Sequence, residues 1–166
     1  MWSHMPMPVR SSPRLATPKS TLVYIAALAP AEGESVAAMF YRNQAHPQAP
    51  KLAPDRHGLI WLPQDAFATA FAQNASAQEQ AVLAAIQRPI SPACISVPVG
   101  RPLWRDVPSC YLLAEQDRMI VPQTQRFMAE RMKAQISVQP VDHTPSVTAP
   151  DCVVDLILAA ARDVSA

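Results

Sequence analysis

Apolar residues gather along the chain in three short runs and in several helix-spaced series, and their order predicts an α/β arrangement. Residues 22–29, LVYIAALA, form a continuous apolar run closed by Pro30, the pattern of a strand buried on both faces of a parallel sheet. From Glu32 to about Asp106 the pattern changes to short helices separated by prolines. Pro63 opens one of them, with Phe67, Ala70 and Phe71 on a single face. Ser76-Ala77-Gln78-Glu79 reads as a capping box ahead of Val82, Leu83 and Ile86, and Pro89 stops that helix. Residues 32–106 therefore read as a helical insertion.

After Pro108 the strand pattern returns. Residues 110–114 form a second short apolar strand, and residues 122–135 an amphipathic helix with Phe127, Met128 and Met132 inward. Residues 136–141 are a third, partly alternating strand. Pro150 opens a closing helix to about Arg162, with Val153, Val154, Ile157, Leu158 and Ala161 expected on its buried face. Residues 1–21 hold Pro6, Pro8, Pro13 and Pro18 and no acid, which predicts an irregular or disordered leader ahead of one domain over 22–166.

Composition narrows the function. A chain of 166 residues with 49% hydrophobic and 16% charged content belongs to a folded domain, and a net charge of +1 gives no basic surface to attract nucleic acid. No run approaches the roughly 20 apolar residues of a membrane span, so a cytoplasmic location is expected by default. Cys94, Cys110 and Cys152 are an odd number among apolar neighbours and are expected as buried, reduced thiols. His4, His46, His57 and His143 show no metal-ligand spacing, and neither metal nor cofactor is expected. With 18 Pro and only 3 Gly, neither a dinucleotide fingerprint nor a phosphate loop can be written.

In open parallel sheets functional groups gather beyond the carboxyl ends of strands. Asp117 follows the second strand and His143 the third, so neighbouring strands would let the two meet. A carboxylate bonded to one imidazole nitrogen fixes the tautomer and leaves the other nitrogen as a general base. The plainer alternatives are a loop acid paired with Arg118 and a satisfied turn histidine. Asp142 puts a second carboxylate beside His143, but consecutive residues of an extended chain point to opposite sides, which favours Asp117 as the acid.

Residues 22–30 with Glu32-Gly33-Glu34-Ser35, residues 111–122, and His143-Thr144-Pro145 with Pro150 together resemble the later part of an α/β-hydrolase. The style is that of the esterase branch that also holds hydroxynitrile lyases and plant methylesterases. The resemblance implies three parallel strands from the C-terminal part of that sheet, the first being the sixth of eight. It implies a cap over the active site at about 32–106, Asp117 as triad acid and His143 as triad base. A complete homologue would take a small apolar ester-like substrate, with Trp61, Phe67, Phe71 and Trp104 suggesting an apolar pocket.

The family places its nucleophile elbow upstream of the sixth strand, where this chain has a leader without glycine. Gly33-Glu34-Ser35-Val36-Ala37 fits a relaxed form of the motif, but Pro30 has already ended the strand, and Ser35 reads better as a helix N-cap. The expectation is a truncated hydrolase without its nucleophile, inactive alone and prone to self-association through the exposed edge of its first strand. The alternatives are a non-catalytic binding module or pseudoenzyme on the same partial fold, and a lyase using the triad for proton transfer.

Overall fold

A computed structural model describes residues 20–165. The expected leader lies almost wholly outside the described residues. Three strands form one parallel sheet in the order β1 (Leu22–Ile25), β2 (Ser109–Ala114) and β3 (Gln135–Gln139). Leu22 is in register with Ser109, and Cys110 with Gln135.

The middle strand explains both layers. Its SCYLLA sequence is buried throughout, and alternate side chains leave opposite faces. Tyr111 and Leu113 join a cluster with Met128, Ala129 and Met132 beneath helix α4 (Pro122–Arg131). Cys110, Leu112 and Ala114 join Val153, Leu156 and Ala160 of α6 (Pro150–Ser165), which follows the short α5 (Pro145–Thr148), on the other side. Pro122 opens α4, and Lys133 closes it in the left-handed region at φ 54° while the Ala134 amide donates to the Ala129 carbonyl.

The first strand is shorter than its apolar run predicts. Ala26 turns out of the ladder at φ 44°, so residues 27–30 are held by side chains instead. The Ala29 amide donates to Met128 Sδ, and the Tyr111 hydroxyl donates to the Ala27 carbonyl. Arg131 donates to the Ala29 carbonyl and pairs with Glu34 at 2.9 Å, tying the start of the long connection to α4.

That connection carries α1 (Val36–Phe40), a π-helical turn (Phe67–Phe71), α2 (Ala77–Ile86), α3 (Ala93–Ser96) and a 3-10 turn at Leu103–Arg105. Ser35 caps α1 by accepting from the Ala38 amide, and the Ser76–Glu79 capping box is present. Two helical faces depart from expectation. On α2 no residue is buried, and Val82 and Ile86 are exposed. On α6 the buried positions are Val153, Leu156 and Ala160, whereas Val154, Ile157 and Leu158 face outward. The apolar arc of α6, opposite Asp151, Asp155 and Arg162, is wider than its contact with β2, so only one edge of that arc is buried. The thiols also divide: Cys110 is buried, Cys152 half-buried, and Cys94 exposed on α3, contrary to the expectation of three buried thiols.

Candidate active site

The loops after β2 and β3 leave the same end of the sheet. His143 Nδ1 lies 2.8 Å from Asp117 Oδ2, so the structure brings together the two residues singled out in the sequence. The Asp117 side chain has no exposed surface, and that of His143 is 19% exposed. One member is sealed and the other reachable.

Four donors converge on Asp117. Oδ1 accepts from the amides of Met119 and Ile120 at 2.7 and 2.9 Å, and Oδ2 accepts from Gln125 Nε2 at 2.8 Å as well as facing the imidazole. An ionised carboxylate has about four lone-pair sites, and all are used. The two amides come from the tight turn 117–120 that precedes the Pro122 helix start, so the local chain builds half the cradle. Gln125 builds the rest: it is fully buried on α4, donates also to the Ile120 carbonyl, and accepts from the Ala114 amide at the end of β2. Gln125 was missed in the sequence, where a glutamine within PQTQRF reads as a solvated helix position.

Asp117, not Asp142, orients the imidazole. Asp142 is fully buried and points away, accepting from the Asn74 amide, the Thr144 amide and the Thr148 hydroxyl. Glu115 is exposed, and its amide continues the β3 pairing by donating to the Gln139 carbonyl. Arg118 does not pair with Asp117 but donates to the Thr69 carbonyl. With Nδ1 held by the carboxylate, Nε2 is the nitrogen left for proton exchange.

The Phe71 ring stands 5.2 Å from the His143 ring. Its other surroundings form an apolar cavity of about 410 Å³, lined by Leu52, Ile60, Leu62, Phe67, Leu83 and Ile90 among others. Of the four aromatic residues expected in such a pocket, Phe67 and Phe71 line it. Trp61 instead donates to Asp55, and Trp104 joins the core and donates to the Pro30 carbonyl. A larger groove of about 610 Å³ lies at the opposite ends of the strands, along Thr21, Ser109 and Gln135, away from the acid and the histidine.

Ser35 has φ −100° and ψ 158°, ordinary extended backbone, and its hydroxyl accepts from the Ala38 amide at 3.1 Å. A nucleophile elbow requires a sharp, strained turn, which Ser35 does not make. Among the described residues no group of His, Cys, Asp and Glu is arranged to hold a metal ion, and no helix is long and apolar enough to cross a membrane.

The sequence pattern of the alpha/beta hydrolase family matches residues 7–156, and the chain belongs to that family. Among curated proteins none matches. Solved structures share the fold at low identity. Tomato methylketone synthase I, complexed with 2-tridecanone, matches with a TM-score of 0.70 at 14% identity, over 87% of this chain and 62% of its own. Polyneuridine aldehyde esterase matches with a TM-score of 0.63 at 17% identity, over 84% and 61%. An extracellular α/β-hydrolase from a Paenibacillus species matches with a TM-score of 0.64 at 19% identity, over 85% and 61%. The chain thus spans about three-fifths of the length of these relatives.

Proposed function

We propose that this chain carries the acid–base half of an ester-hydrolase site, with Asp117 as the orienting acid and His143 as the general base. The observation that carries the reading is the saturated Asp117 carboxylate, which spends one acceptor position on His143 Nδ1 in a fully buried setting. In this reading His143 Nε2 takes a proton from water as the water oxygen bonds to the carbonyl carbon of an acyl-enzyme. The tetrahedral intermediate then expels the nucleophile's oxygen, which receives that proton back. Ser35 is engaged as a helix cap and is not assigned as the nucleophile in this reading.

Residues 32–106 act as the cap, and the cavity beside Phe71 takes the apolar part of a small ester. The same cavity favours a second reading, a binding module without chemistry, because it is built from the connection alone. Nitrogen-15 NMR of the His143 ring in the wild type and in Asp117→Asn tests the first. The Nδ1–H tautomer should dominate and its signals should shift in the variant; identical spectra would remove the pairing. The isolated chain should not turn over a p-nitrophenyl ester, and turnover abolished by His143→Ala would show that a nucleophile is present after all.

Among the described residues β1 is paired on one side only. Its open edge is proposed as a self-association surface. Sedimentation velocity over a concentration series should show a growing dimer or larger species, and a monomer throughout would refute it.

A further inference from the structure

Asp142 is the buried charge that the acid–base pair does not use. Its carboxylate is completely inaccessible, and no Lys or Arg stands within ion-pair distance of it among the described residues. Removing such a group from water costs several kcal/mol unless hydrogen bonds replace the lost hydration. Three bonds do so, and they divide by direction. Oδ1 accepts from the Thr144 amide at 3.1 Å and the Thr148 hydroxyl at 2.7 Å, which organises the histidine loop locally. Oδ2 accepts from the Asn74 amide at 3.0 Å, a residue 68 positions away in the cap.

Around that bond, cap residues 69–74 touch both loops of the candidate site. The acid loop is reached through Arg118 to the Thr69 carbonyl at 2.7 Å, Gln73 Nε2 to the Gln116 carbonyl at 2.7 Å, and Asn74 Nδ2 to Gln116 Oε1 at 3.0 Å. The histidine loop is reached through Asp142 and through the Thr144 hydroxyl, which donates to the Phe71 carbonyl at 3.0 Å. One short segment therefore splints the two loops whose relative position sets the distance from Asp117 to His143. An apolar residue at 142 could fill the space but could not accept the Asn74 amide.

We infer that Asp142 is a positioning residue: through the Asn74 amide it latches the histidine loop to the cap, and the Asp117–His143 geometry depends on that latch. The inference rests on the reading of Asp117 and His143 as a working pair. In Asp142→Asn the side-chain oxygen can still serve Thr144 and Thr148, but an NH₂ group then faces the Asn74 amide, so the cross-link alone is broken.

The test is NMR on the full chain. In Asp142→Asn, exchange of the Asn74 amide should accelerate by about tenfold or more and the His143 ring nitrogens should shift, while the β2 amides stay protected. Unchanged Asn74 exchange together with unchanged ring signals would overturn the latch. Loss of protection equally at Asn74 and throughout β2, with the His143 signals of the folded form unmoved, would also overturn it, since that is a purely structural role. Should Asp142→Asn not fold, Thr144→Val deletes a different bond of the same splint, and its His143 signals should shift; their constancy would overturn the proposal. If Asp117→Asn leaves the wild-type ring signals in place, the pairing itself fails, an outcome separate from any result at Asp142.

Discussion

The acid–histidine corner and helix α2 lie close to one another in the fold but are stabilised in opposite ways. In the corner, Ala114, Asp117, Gln125 and Asp142 are buried, and several of their bonds join residues far apart in sequence. In α2 no residue is buried; the helix is held by its own capping box, by Gln80, which donates to the Ala72 and Ala75 carbonyls, and at its C-cap by Gln87, which exchanges two bonds with the Leu62 backbone. The site is thus a product of tertiary burial, whereas α2 rests mainly on contacts near in sequence. Substitutions should separate the two.

The largest effect is expected at Gln125. Gln125→Leu strands the Ala114 amide and the Ile120 carbonyl and strips one donor from Asp117, all without access to water. A loss of roughly 3 kcal/mol of unfolding free energy follows. Urea denaturation measures it, and a loss near zero would mean that the corner is not held by these bonds.

A smaller, pH-dependent effect is expected at the start of the long connection between β1 and β2. Partial burial pushes the Glu34 carboxyl up, but hydrogen bonds from Arg131 and the Ala31 amide, with the charges of Arg131 and Arg42, hold it below its ordinary value overall. A carboxyl depressed in the folded state contributes stability above its unfolded pKa and loses it as pH falls through the folded one. Stability should therefore decline on the acid side of the ordinary glutamate range, and Glu34→Gln should flatten that limb. An unchanged acid limb would discount the Arg131 pair.

Local effects come last. Ser76→Ala removes the N-cap of α2 and should cost about 1 kcal/mol of helix stability, seen as faster amide exchange in residues 77–86 alone. Loosening of β2 in the same variant would show that α2 is coupled to the core. Val82→Glu on the exposed face should change global stability by no more than about 0.5 kcal/mol, and a clear loss would reveal a covering that the fold does not display.

The contrast also sets what could be read from the chain. Strand β2, the Pro122 start of α4 and the Ser76 box were legible because each depends on adjacent residues: an unbroken apolar run, a proline, a serine three places before a glutamate. The approach of Asp117 to His143 was legible by position, since they follow β2 and β3, adjacent parallel strands whose loops leave the same end of the sheet. Gln125 and Asp142 were not, because a polar residue announces its burial only through partners that come from elsewhere in the chain. The outward face of α6 was misread for a related reason: its apolar arc, opposite Asp151, Asp155 and Arg162, is broad, and periodicity alone does not say which edge of the arc β2 covers. Ala26 is likewise silent, for an alanine gives no warning of a left-handed turn.

Phe71 lines the apolar cavity, and its ring lies 5.2 Å from that of His143. An aromatic ring shifts the magnetic resonance of whatever lies above or beside it, and a small tilt changes that shift. The imidazole protons of His143 are consequently a gauge of occupancy: any guest that rotates the ring will be heard at the histidine without touching it.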